Sequence, residues 1–204
     1  MHVELPVARG SRGVLLGPRT RGAILAARKK RLFRKSKPVI RPFTIDDLWV
    51  FWAAYCENSF PVIPAGRSRE EVDLLVLEYL AKNDSNLLIE DSNRRFKSGR
   101  GPVGVIMVHR DGTVIEPTAV FFKWATALNC LRAGVRFFMW IGYNRQTSAC
   151  VVKCYDNAVN LLHRVKDYGV LLYVGKIRGG NPNGKGDQYV FSTRGKFGIG
   201  PDGH

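Results

Sequence analysis

The chain is poor in cysteine, has no recognisable metal-binding pattern and contains no long apolar run. Its four cysteines, Cys56, Cys130, Cys150 and Cys154, form no C-x-x-C pair and have no histidine at zinc-like spacing. That argues against a disulfide framework and against a zinc site, and it fits a reducing compartment. Cys150 and Cys154 could share one face of a helix, where such thiols commonly serve as core filler. No stretch approaches the ~18 consecutive apolar residues of a membrane span, and the N-terminus lacks an apolar run of signal-peptide length. The expectation is a protein that is neither secreted nor integral to a membrane. G-x-S-x-G and paired catalytic carboxylates are also missing, which removes the commonest hydrolytic arrangements.

Acidic residues are scarce at one end. Met1 to Arg41 carries 12 Lys and Arg against Glu4 alone, a net of +11, while the other 163 residues net only +4 of the total +15. The basicity belongs to an arm. Residues 1–20 mix Gly, Pro and Arg and predict no stable structure of their own. Residues 21–37 space Ile24, Leu25, Leu32 and Phe33 so that a helix would collect them on one side and leave cations on the rest. Arg19, Arg21, Arg28, Lys29, Lys30, Arg31, Arg34, Lys35, Lys37 and Arg41 are the candidate partner-binding residues. Such a segment suits nucleic acid, an anionic membrane surface or an acidic groove on another subunit.

With 45% hydrophobic residues, the remainder can bury the core of one globular unit. Residues 42–194 are expected to form it, followed by an irregular tail at 195–204. Thr44 with Asp47, and Ser68 with Glu71, read as capping boxes. They open helices over about 45–56 and 69–82, whose apolar stripes (Leu48, Phe51, Trp52, Tyr55; Val72, Leu75, Val76, Tyr79, Leu80) read as core. Strands are expected at 86–91, 103–109 and 113–123, with Asp111-Gly112 as a hairpin turn and a bulge at Pro117.

Next comes the stretch the rest is organised around. A helix over 125–134 leads into a strand over 136–143. A helix capped by Thr147 or Ser148 then runs to Tyr168, where Gly169 ends it. Strands at 170–178 and 188–194 close the fold. A helix starting directly off a central strand aims free N–H groups at one spot, which suits a pyrophosphate. The turn there, Lys123-Trp124-Ala125-Thr126-Ala127, lacks the glycines that let a backbone approach phosphate closely.

This order of elements, from Pro42 to Arg194, resembles the GNAT fold of acetyl-CoA-dependent N-acetyltransferases. The resemblance implies an α/β (α+β) fold with a central mixed, mostly antiparallel sheet flanked by helices, two of whose strands splay around the cofactor. A narrower resemblance lies in FFKWATALNCLRAG at 121–134 and in YGVLLYVGKIRGGNPNG with QYVFSTR up to Arg194. These look like segments of GNAT-like virion proteins of short-tailed bacteriophages, with Ala127 and Leu128 standing where that pattern has Pro and Arg.

The implied cofactor-binding positions are Lys123, Trp124, Ala125, Thr126, Ala127, Leu128 and Asn129. Glu116 is the implied general base, and Tyr155 or His163 the implied acid. The enzyme motif Q/R-x-x-G-x-G/A is absent. The expectation is therefore a non-catalytic component of a phage particle that needs no cofactor. It would be present in multiple copies in the virion, and in the host cytoplasm during assembly. Its partners would be other virion proteins such as portal or connector subunits, and packaged DNA. The alternatives are an active acetyl-CoA-dependent N-acetyltransferase and a DNA-binding accessory protein of the infected cell.

Overall fold

The computed structural model describes residues 18–34, 36–58, 63–143, 149–154, 156–180 and 186–193. In chain order the elements are α1 (Pro18–Leu32), β1 (Val39–Pro42), a 3-10 turn (Ile45–Asp47), α2 (Leu48–Cys56), α3 (Arg69–Leu80), β2 (Ser85–Ser92), β3 (Arg100–Asp111) and β4 (Val114–Phe121), then α4 (Ala127–Tyr143), β5 (Ala149–Cys154), α5 (Asp156–Lys166), β6 (Leu172–Ile177) and β7 (Gln188–Ser192). The strands make one seven-stranded sheet in the order β1-β2-β3-β4-β5-β7-β6. All neighbours are antiparallel except β4 and β5, which run parallel. This is the mixed, mostly antiparallel sheet expected.

Both capping boxes form. Thr44 and Asp47 exchange hydrogen bonds at the start of the 3-10 turn, and Ser68 and Glu71 do so at α3. Each satisfies amides that a helix start leaves without partners. Helices α2 and α3 cover one face of the sheet, packing Val50, Phe51, Val72, Val76 and Phe122 against Val105 and Met107 of β3. The larger core lies on the other face, where α4 and α5 cover Ile89, Ile106, Val108, Ile115 and Phe191.

Several expectations are corrected. Residues 127–143 form one continuous helix, with no strand at 136–143. The run from Val135 to Ile141 is β-branched and aromatic, but Leu131, Val135, Phe138 and Ile141 are buried and Arg136 and Trp140 exposed, which is helical spacing. Gly134 does not end this helix; a Cβ there would stand 3.0 Å from Val165 of α5, so glycine permits close packing of the two helices. Residues 149–154, expected in a long helix, are strand β5, burying Cys150, Val152 and Cys154 at period two. The two thiols therefore share a strand face.

The bulge falls not at Pro117, which pairs with Val108 in unbroken register, but in β3. There Ile89 pairs with Gly104 and Glu90 with Pro102. The extra residue, Val103, faces the α4/α5 core with Ile106 and Val108, while Val105 and Met107 face α2 and α3. Pro117 lies beyond the last residue at which β4 pairs with β5, an edge position where a missing N–H is tolerated.

The basic segment is also less detached than its composition implies. Leu32 is buried in the main core, and β1 is a strand of the sheet. Arg41, read as an arm cation, binds Asp47 through both guanidinium nitrogens (2.6 and 2.7 Å) and Glu90 at 2.9 Å. Residues 18–20, expected without stable structure, open α1; the rest of that expectation, residues 1–17, and the irregular tail at 195–204 fall outside the described residues.

Candidate functional site

Among the described residues, strands β4 and β5 pair only at Val114–Ala149 and Ile115–Cys150, near the start of each. Beyond those pairs they part, and α4 begins six residues after the end of β4. The parted strands and the N-terminus of α4 are the places where the fold could hold a ligand.

At the helix start the sequence WATALN folds as a self-contained cap. Thr126 is the N-cap: its Oγ1 accepts from the Asn129 amide at 3.1 Å, while Asn129 Oδ1 accepts from the Thr126 amide (3.0 Å) and hydroxyl (2.8 Å). The Cys130 amide donates to Thr126 O. Among the described residues this leaves the amides of Ala127 and Leu128 without an acceptor, at the exposed tip of the helix.

Trp124 is structural. Its Nε1 donates to Pro102 O at 2.7 Å, its ring lies 4.9 Å from that of Phe122, and the Arg95 guanidinium covers it at 4.5 Å. Asn93 donates to its carbonyl. Ala125 packs at the rim of the main core, and Lys123 is exposed.

Behind the cap is a buried polar network that sequence reasoning missed. Asp91, fully buried at the end of β2, accepts from Ser36 Oγ (2.5 Å), from the Ser92 amide (2.7 Å) and from Asn129 Nδ2 (3.0 Å). The Asn129 amide group also reaches Ser92 O. Buried Arg132 stands 3.7 Å from Asp91 and donates through Nε to Leu32 O, the last carbonyl of α1. A carboxylate thus already sits beside the positive first turn of α4, and the arginine that neutralises it ties α1 to α4. The available signal was weak: an acidic pair, Glu90-Asp91, closing an apolar strand and two arginines, Arg132 and Arg136, inside an apolar helix.

The two described candidates, Glu116 and His163, are each engaged by neighbours within the protein. Glu116 of β4 is held by Lys153 of β5, whose ammonium donates to both its oxygens at 2.9 and 3.1 Å. The pair bridges the strands just past their last backbone pairing, so the carboxylate is already engaged by a cation. His163, an implied acid, is half-buried on α5 with its ring 5.3 Å from Tyr173 and 5.1 Å from Phe191, a packing role. Tyr155 lies outside the described residues. Two thiols near this region, Cys150 and Cys130, are poorly disposed to ionise, because burial pushes Cys150 up to about 12, with the Glu116 charge adding to it, and Cys130 up to about 11. Among the described residues no group of acidic, histidine or cysteine side chains could hold a metal ion, and no helix is long and apolar enough to cross a membrane.

The cations of the basic segment separate into three sets. Arg41 is spent internally, and Lys29 is half-buried while Lys37 is exposed. Arg28, Lys30, Arg31 and Arg34 face a groove of about 930 Å³ between α1, the first turns of α4 and the end of α5, where Arg132 and Arg164 join them. Arg19 and Arg21 lie on the α1 backbone, but the described side chains do not include theirs, nor any part of Lys35.

The strand order, the parted parallel pair and the helix between them are those of the GNAT N-acetyltransferase fold. The chain superposes on a GNAT-family acetyltransferase from Bacillus anthracis with a TM-score of 0.56 and 16% identity, covering 76% of this chain and 93% of that one. Spermidine N-acetyltransferase from Vibrio cholerae, solved in complex with CoA and spermine, gives 0.55 and 12% over 76% and 94%. A GNAT-family acetyltransferase from Streptococcus pneumoniae gives 0.50 and 16% over 77% and 98%. At these identities the likeness shows the fold. No family model matches the chain, and no curated protein matches it by sequence.

Acetyl-CoA is the cofactor the resemblance implies, and the place for its pyrophosphate, the start of α4, keeps the free amides of Ala127 and Leu128 but has no glycine in the turn before it. The turn before α4 carries a β-carbon at every position from Lys123 to Thr126, the Thr126 and Asn129 side chains are consumed by the cap, and Asp91 already sits beside the helix start. The mouth between β4 and β5 is bridged by Glu116 and Lys153.

Proposed function

We propose that the chain is a non-catalytic binding module built on the acetyltransferase fold, an accessory component of a phage particle. Its folded body docks against other virion proteins such as portal or connector subunits, and its basic segment contacts packaged DNA or an acidic neighbouring subunit. One observation carries the non-catalytic part. The groups a GNAT enzyme would turn toward cofactor and substrate are here bonded to the protein itself, Thr126 and Asn129 in the α4 cap and Glu116 to Lys153. The particle role rests on the likeness of residues 121–134 and 168–194 to virion proteins of the same fold.

The test is thermal. Millimolar acetyl-CoA is expected to leave the melting temperature unchanged, because only a ligand that binds the native state raises it. A clear rise together with acetylation of an amine would overturn the reading. The chain is further expected to co-purify with particles assembled from the genome that encodes it.

A second reading, an active N-acetyltransferase, has one observation in its favour. The free amides of Ala127 and Leu128 lie at the start of α4, in a fold whose Vibrio cholerae neighbour was solved with CoA. The Glu116→Gln variant separates the two. An enzyme using Glu116 as base would lose turnover by about 10²-fold or more, whereas a binding module would lose only an exposed ion pair, worth about 0.5 kcal/mol.

A further inference from the structure

We propose that the groove between α1, α4 and α5 is a binding site for the phosphodiester backbone of nucleic acid, shared between the basic segment and the body. The inference rests on the binding-module reading and sharpens it, because it chooses nucleic acid over an acidic subunit and adds a body residue, Arg164, to the site. Five cations of the lining, Arg28, Lys30, Arg31, Arg34 and Arg164, have no carboxylate in ion-pair range among the described residues, and Asp167 is the one acid lining the groove. Such a concentration of like charge raises the energy of the folded chain unless an anion neutralises it.

The cluster is held in place. Arg132 Nε donates to Leu32 O, Leu32 is buried in the core, and Leu25 lies against Gly169, where a Cβ would come within 2.9 Å of it. Helix α1 is thus fixed on the body at two points, and its cations are presented beside Arg164 before any ligand arrives. That lowers the ordering cost of binding.

Phosphate is the anion this arrangement favours. Four of the five free cations are arginines, whose planar fork matches phosphate oxygens in bidentate fashion. Arg28, Arg31 and, just past the helix end, Arg34 follow at every third residue and leave α1 on one side, a row suited to a repeating anion. A protein partner would need apolar anchors, and the groove has few. Leu32 and Leu131 are buried beneath it, leaving Ala27, Leu128 and Tyr168 as apolar surface. With one aromatic ring there is no stacking platform for successive bases, so recognition is of backbone and independent of sequence.

The full-length chain is titrated with short DNA duplexes of two unrelated sequences over about 50–200 mM salt. Equal affinity for the two is expected, with a log–log salt slope of about −4 to −5 for five phosphate contacts. The Arg28→Ala, Arg31→Ala, Arg164→Ala triple variant should reduce that slope by about 3 and weaken binding by ~10-fold or more at the lower salt. A charge-matched triple variant at exposed positions elsewhere, Lys82→Ala, Arg110→Ala, Arg178→Ala, should stay within about twofold of the parent, because its cations make no phosphate contact. Equal loss in the two triples would overturn the site by making bulk charge the cause. Duplex binding that is absent or insensitive to salt would overturn it too, as would groove-dependent binding of poly-glutamate without duplex binding. Acetyl-CoA binding with turnover would instead defeat the non-catalytic reading and leave the duplex result standing.

Discussion

Two buried aspartates carry much of the residue-scale chemistry, and they depend on different partners. The Arg41 guanidinium beside Asp47 holds its carboxyl down at about 2, with the Thr44 amide and hydroxyl adding to the effect against the opposing cost of burial. Because the folded value lies below the ordinary 3.8, the stabilisation is complete above about pH 4 and fades as pH falls toward 2. The Asp47→Asn variant is therefore expected to be less stable by about 2 kcal/mol at pH 7. Its deficit should shrink below pH 4, and urea melts across that range would show it; a deficit that held constant down to pH 2 would contradict the linkage.

Asp91 is satisfied by three hydrogen bonds, and Arg132 supplies its charge partner at 3.7 Å. Arg132→Met should cost about 3 kcal/mol by leaving that carboxylate buried without a cation. A loss below 1 kcal/mol would mean that the hydrogen bonds from Ser36, Ser92 and Asn129 suffice by themselves.

At the scale of elements, the start of α4 shows how a ligand-binding feature becomes a structural one. A helix N-terminus always offers free amides and a positive end, and here side chains of the same helix and a strand aspartate absorb most of that capacity. Thr126→Ala removes the cap and is expected to cost about 1 kcal/mol. Hydrogen exchange should rise first at Asn129, whose amide that hydroxyl accepts. Unchanged protection at Asn129 would show that the Thr126 hydroxyl is dispensable as an acceptor for that amide. The sheet shows a related effect at Val103, where one inserted residue moves β3 side chains between the two cores without breaking the strand.

For the whole molecule, the uneven charge does not translate into a separable arm. The segment that holds most of the net charge contributes Leu32 to the core, β1 to the sheet, a helix carbonyl to Arg132 and a guanidinium to Asp47. Removing residues 1–41 should accordingly destabilise the body rather than release it intact. Leu32→Ala is expected to cost about 2–3 kcal/mol, measured by urea denaturation, and the longer truncation more. A truncated chain that melts at the parent temperature would show that α1 rests on the surface without supporting it.

Much of this was legible in the sequence where the determining groups are neighbours. Thr44 with Asp47, Ser68 with Glu71 and Asp111 with Gly112 specify turns and caps through contacts three residues apart or fewer, and the apolar stripes of α2 and α3 repeat with the helical period. Residues 136–143 and 149–154 misled, because short apolar runs satisfy strand and helix patterns alike until the packing around Gly134 and the pairing of β5 decide between them. The sequence alone thus determined the local starts, the hairpin and the segregation of charge. Only tertiary structure decided that Asp91 meets Asn129 and Arg132, that Lys153 holds Glu116, and that Arg164 joins the cations of α1. Those encounters depend on sheet register and helix docking, which no stretch of neighbouring residues encodes.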